Sequence, residues 1–191
     1  MVKLAKSKRY FIKLIAVVIA FITAFGLNTL TSAAEPPSEP ILRINTEMHT
    51  APINRIGVDA ENKYLVTASD DKTIKVWDIS SGKLLQTLRV PIGEGKEGMI
   101  YSVAISPDGK TIVCSGWTGS DGEHSHSIYI FERQTGKLIK QITGLPNVIH
   151  HLVYSKDGRF LVATLGEGGI RIYETTDYSQ AASDSDYGGE S

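Results

Sequence analysis

The 191-residue sequence is short of the features that announce chemistry. It has one cysteine, Cys114, so no internal disulfide can form in any compartment. A lone cysteine in the apolar run Thr111 to Ser115 reads as a small buried side chain, with a reactive thiol as the lesser alternative. No glycine-rich phosphate loop follows a strand, no nucleophile elbow is present, and no Cys/His framework has zinc spacing. The longest apolar run, Leu14 to Leu27, has 14 residues. That falls short of the roughly 20 needed to span a bilayer comfortably.

That run belongs to a distinct amino-terminal region. Residues 1–34 hold five cations (Lys3, Lys6, Lys8, Arg9 and Lys13) and no acid, then the apolar run, then Thr31-Ser32-Ala33-Ala34. Cations, a short apolar core and small residues, in that order, predict a secretory signal peptide over 1–34, with an uncleaved anchor as the alternative. The expected location is exported, periplasmic or extracellular, with no stable membrane span after cleavage. No cysteine follows the cut, which argues against lipid attachment there. Removing the leader lowers Lys plus Arg from 20 to 15 against 21 Asp plus Glu, a net charge near −6. Such a surface does not favour nucleic acid, whose phosphates require clustered cations. Residues 35–40, EPPSEP, have three prolines and predict an extended linker.

Beyond the linker the pattern is all-β and repetitive. Residues 53–68, 100–115 and 149–164 each give an alternating strand, a turn and a second strand. The turns centre on Asn62, Gly109 and Gly158, spaced by 47 and 49 residues. Asn or Gly there supplies the positive φ that a tight hairpin requires. A third strand follows in each repeat, ending in an aromatic and an acid: Trp77-Asp78, Phe131-Glu132 and Tyr173-Glu174. In two repeats a turn, Ser80-Ser81-Gly82 or Gln134-Thr135-Gly136, leads to a fourth strand. Four short antiparallel strands at this period predict the blade of a β-propeller, whose apolar faces are buried only by stacking on other blades.

Residues 49–78, with a His near the start, an Asp-Lys-Thr turn and a closing Trp-Asp, resemble a WD repeat of the bacterial exported type. The resemblance implies a buried network of His49, Thr67 or Ser69, Asp71 and Trp77, structural in role. Thr67 and Ser69 share one strand face, so periodicity does not choose between them. The later repeats depart from the motif, with Lys96 and Leu145 for His49, Phe131 and Tyr173 for Trp77, and Glu167 for Asp71 in the third.

The expected organisation is therefore an orphan strand at 41–46, repeats at 49–90, 96–144 and 145–175, and an acidic stretch at 176–191. The fold class is all-β, a partial β-propeller of about three blades plus the amino-terminal strand, read as a fragment of a larger ring because closed propellers have about four to eight blades. Repeat spacing places the opening of a fourth repeat at 191–196, so residues 176–191 read as an acidic tail or as the approach to that repeat. An open blade edge would invite self-association.

The second repeat has seven extra residues, all in the loop 116–127. Insertions of this kind collect binding residues. Trp117, Asp121, Glu123, His124 and His126 form the candidate partner-binding loop, with Trp117 either an anchor or folded back on its blade. His124 and His126 are a weak candidate pair for a divalent metal, although a solvated pair is the plainer reading. His150 and His151 are adjacent on a strand and face opposite ways. No cofactor is expected. The function favoured by the sequence is a noncatalytic exported scaffold binding a protein partner. The alternative is the front part of a propeller enzyme, a metal-dependent hydrolase or a quinoprotein-like oxidoreductase, with its site in other blades.

Overall fold

A computed structural model describes residues 47–118 and 126–185. The proposed leader, linker and orphan strand at 41–46 lie outside the described residues, as do 119–125 and 186–191. The described residues form three four-stranded antiparallel sheets and no helix. The first holds β1 (Ile53–Val58), β2 (Tyr64–Ser69), β3 (Ile74–Asp78) and β4 (Leu84–Leu88). The second holds β5 (Met99–Ile105), β6 (Thr111–Trp117), β7 (His126–Glu132) and β8 (Leu138–Leu145). The third holds β9 (Ile149–Tyr154), β10 (Phe160–Leu165), β11 (Ile170–Glu174) and β12 (Gln180–Asp184). Strands pair in chain order within each sheet, which is the topology of propeller blades.

Local chemistry explains the hairpins. The Asp59 carboxylate accepts from the Lys63 and Tyr64 amides at 2.8 and 2.9 Å. Ser106 and Ser155 hold the same place, their hydroxyls accepting from the Thr111 and Phe160 amides at 2.9 and 3.0 Å and donating to Asp108 and Asp157 at 2.6 and 2.5 Å. Asn62, Gly109 and Gly158 have φ of 54°, 69° and 73°, as the turn pattern requires.

The third blade corrects one expectation. Residues 180–184, assigned from sequence to an acidic tail or a further repeat, form the fourth strand of the third sheet, pairing Ile170 with Asp184 and Ile172 with Ala182. The turn into it matches its counterparts. The Gly82, Gly136 and Tyr178 amides donate to the carbonyls of Asp78, Glu132 and Glu174 at 2.9, 2.8 and 2.8 Å, and all three residues have positive φ. Tyrosine stands where the other two blades have glycine. Its hydroxyl lies 3.1 Å from that of Tyr154, and its ring packs on the adjoining core, which offsets the left-handed backbone.

The blades stack through alternating side chains. Val66, Ala68, Ile74 and Val76 of the first sheet pack on Val103, Ile112, Cys114 and Phe131 of the second. The second sheet's other face, with Val113, Ile128 and Ile130, meets Leu152, Leu161, Ala163 and Tyr173 of the third. Cys114 is fully buried, and burial pushes its thiol well up from the ordinary range. This is the small buried side chain foreseen.

The three inner strands share an irregularity. Register shifts fall between Ile53 and Arg55, between Ile100 and Ser102, and opposite Thr164 and Leu165, where Ile149 and His151 are the partners. Each blade thus has a β-bulge at one height, which places Arg55, Ser102 and His151 in equivalent positions.

Candidate functional site

The first blade carries a connected polar cluster. The His49 imidazole reaches Asp71 through Nδ1 at 2.8 Å and Thr67 Oγ1 through Nε2 at 2.7 Å. Trp77 Nε1 donates to the same Thr67 oxygen at 3.0 Å. A carboxylate can only accept, so Nδ1 carries the proton toward Asp71. Nε2 makes the bond to the Thr67 hydroxyl, so a continuous chain of hydrogen bonds runs from indole to carboxylate. The other Asp71 oxygen accepts from the Thr73 hydroxyl and amide at 2.5 and 3.0 Å.

Thr67 therefore fills the position that periodicity had left shared with Ser69. The Ser69 hydroxyl does another job, donating to the Ala51 carbonyl at 3.1 Å and accepting the Asp71 amide at 3.1 Å. Burial pushes the Asp71 carboxyl up, but hydrogen bonds from Thr73, Thr50 and His49, with the charge attraction of His49, leave it below its ordinary 3.8. The cluster joins the entry to β1 to β2, the following turn and β3. Its donors are used internally, which is the geometry of a brace.

In the second blade Cys114 pairs with Tyr129 as Thr67 pairs with Lys75, and Phe131 occupies the place of Trp77. The polar bond between threonine and indole is replaced there by a thiol and a phenyl ring. In the third blade Ala163, paired with Arg171, stands in the place of Thr67 and Tyr173 in the place of Trp77, and the buried Tyr173 hydroxyl has no partner among the described residues. Among the described residues the brace is found in the first blade alone.

Trp117 closes β6 opposite Met99. Its ring meets the edge of His126 at 5.8 Å and 83°, and the Lys96 ammonium lies 5.6 Å from its centre. The indole thus lies back on its own blade, the alternative to a free anchor. Asp121, Glu123 and His124 lie outside the described residues. His126 opens β7 with a buried ring, and burial lowers its pKa against the raising effect of a hydrogen bond that the ring donates to the Gly116 backbone; Nδ1 has no partner among the described residues. The candidate metal pair is thus represented by one buried member. Among the described residues no group of three or more His, Cys, Asp or Glu could hold a metal ion, and no helix is long and apolar enough to cross a membrane.

One end of the blades gathers the features most open to a partner. Strand pairs Ile53–Ser69, Met99–Trp117 and Ile149–Leu165 lie at this rim. Here are Trp117, Lys96 and the bulged inner strands with Arg55 and His151, two residues the sequence reading did not single out as a pair. The bulges that align them leave no mark in residue type. A groove of about 470 Å³ extends from His151 along the inner strands, lined by Ile56, Val58, Val103, Ile105 and Val153.

Three blades of this topology are those of a β-propeller segment, and the first, braced by His, Thr, Asp and Trp, is similar to a WD repeat: the family model for the WD domain, G-beta repeat, matches residues 41–78 and 82–123. Among curated relatives, the ribosome biogenesis protein BOP1 homolog of Drosophila persimilis is 33% identical over 72 residues, 38% of this chain and 8% of that protein. The U3 small nucleolar RNA-associated protein 21 homolog of Schizosaccharomyces pombe is 30% identical over 123 residues, 64% of this chain and 12% of the relative. The COMPASS component SWD3 of Saccharomyces cerevisiae is 25% identical over 134 residues, 66% of this chain and 39% of the relative. The chain thus spans far less than two thirds of their lengths. These relatives are eukaryotic and lend no support to the bacterial exported subtype expected from the sequence.

Proposed function

We propose that this chain serves as a noncatalytic scaffold that binds another protein through the rim bearing Trp117, Lys96 and the bulged inner strands. The observation that carries the reading is the brace of His49, Thr67, Asp71 and Trp77. The one His/Asp/hydroxyl set among the described residues is consumed in holding a blade together, and the fold presents loops and strand ends instead. Relatives whose names place them in assemblies, a COMPASS component among them, support a role in complexes. Export directed by residues 1–34 is part of the proposal, supported by their order of cations, apolar core and small residues.

The binding reading is tested by photo-crosslinking from position 96, beside Trp117, in the full chain. A discrete protein adduct that Trp117→Ala abolishes is expected; adducts unchanged by Trp117→Ala would remove this rim from consideration. Export is tested by terminal sequencing of the protein recovered from the source cells' exterior or periplasm. A chain beginning at Glu35 is expected, and retention of the leader in the cytoplasmic fraction would overturn it.

A further inference from the structure

The scaffold reading leaves open what chemistry the rim recognises, and Arg55 supplies an answer. Arg55 follows the bulge of β1, and His151 follows the matching bulge of β9. The guanidinium extends across the second blade and donates to the His150 carbonyl at 3.4 Å, a long bond. Its Nε is buried and has no hydrogen-bond partner among the described residues, and His151 Nδ1 is in the same condition. The described ion pairs involve His49 with Asp71 and Lys110 with Asp108, and none reaches Arg55. The nearby Asp70 carboxylate accepts instead from the Asn54 amide at 2.6 Å.

A guanidinium has five N–H donors in a planar fork that matches a carboxylate. One long bond to a carbonyl leaves the rest of the fork open to a ligand, and the buried Nε is a donor whose lack of a partner is costly. Positive charge is also felt at His151, whose pKa is lowered first by burial and then by Arg55. No carboxylate among the described residues forms an ion pair with Arg55.

Beside it the surface turns apolar. Ile56 is 61% exposed and Val153 45% exposed, on either side of the groove that begins at His151. Isolated exposed aliphatics are ordinary, but these flank a concave strip that starts at His151, next to a cation with no ion pair.

We propose that Arg55, with His151 beside it, is a carboxylate-binding site for an acidic peptide of the protein partner, whose neighbouring apolar side chains lie along Ile56 and Val153. This rests on the scaffold reading and names the partner's chemistry. The guanidinium takes the carboxylate in a two-pronged pair, and the imidazole offers Nδ1 beside it. The groove takes an aliphatic residue next in the peptide sequence. The mature chain's net negative charge would repel an acidic partner at long range, so recognition depends on this local pair.

The test uses the full chain and a fluorescein-labelled peptide of alternating Glu and Leu, with Gln–Leu and Lys–Leu counterparts, followed by anisotropy. The Glu–Leu peptide is expected to bind roughly tenfold or more tightly than either counterpart, as one charged hydrogen-bonded pair provides. Arg55→Gln is expected to bring its affinity down to that of the Gln–Leu peptide. Arg55→Lys, which keeps the charge and loses the fork, should recover only part. Equal binding of Glu–Leu and Gln–Leu, equal binding by wild type and Arg55→Gln, or no binding of any peptide would each overturn the site. A peptide-free change in molecular mass on Arg55→Gln would assign the surface to a second copy, also against the proposal. Matching urea midpoints for wild type and Arg55→Gln establish that the variant is folded. Loss of crosslinks with Trp117→Ala but none with Arg55→Gln would sink the carboxylate site and leave the scaffold standing.

Discussion

Thr67 is the joint of the first blade's brace, accepting from Trp77 while its hydroxyl also bonds to His49. Replacing it with valine keeps the shape and strands both partners. Thr67→Val should destabilise the chain by roughly 1–3 kcal/mol, while Thr67→Ser should cost less because the hydroxyl remains. Urea unfolding monitored at Trp77 and Trp117 would measure both, and equal midpoints for valine and wild type would contradict the network. Asp71 adds a pH signature. Its folded pKa lies below the unfolded value, so its contribution is complete above about 3.8 and is lost as pH falls through the folded value. The Asp71→Asn variant should therefore be less stable at neutral pH, with the gap to wild type closing in acid. A gap that stays constant down to pH 2 would refute the assignment. These members were legible in the sequence because a WD-type motif carries them, whereas the choice of Thr67 over Ser69 required atoms, since both point to one strand face.

At the scale of the element, β12 shows how a turn can hide. Blade after blade, the same backbone bonds close the hairpin between third and fourth strands. Gly82 and Gly136 advertise it, but Tyr178 adopts the same φ with a side chain that also packs on the core. Sequence reasoning met an acidic, serine-rich stretch and assigned 176–191 to an acidic tail or to the start of a fourth repeat. Composition describes exposure, and β12 is exposed throughout; what makes it a strand is the backbone of β11. Ending the chain after Thr175 should remove that cover and the Tyr178 contact with Tyr154. We expect raised fluorescence of an apolar dye and a broader, earlier thermal transition. Unchanged dye binding and melting would mean that β12 contributes nothing to the blade.

Across the whole molecule the blades differ in protection. The second lies between two neighbours, and β7 is buried along all but its last residue. The inner strand β1 and the last strand β12 are largely exposed. Amide hydrogen exchange should be slowest in β6 and β7 and fastest in β12, because opening the middle blade requires parting both stacked cores. Uniform exchange across the three sheets would argue against stacking as the source of stability. This architecture was readable from the 47- and 49-residue spacing and the alternating strands. The rim was less so, since what gathers Arg55 and His151 is a matter of register. A bulge is a property of two strands together, invisible in either alone.

That register has a further consequence. Because each inner strand steps out of line at the same height, the molecule offers three equivalent sockets around one axis, occupied by arginine, serine and histidine. They are not alike in access: Ser102 is fully buried, and its hydroxyl lies 3.2 and 3.1 Å from the Ser115 and Ile149 carbonyls, tying the second blade to the third. An arginine moved there would bury a guanidinium and cut that tie, so the sockets that hold charge are the outer two, and the middle one works as a pin between blades.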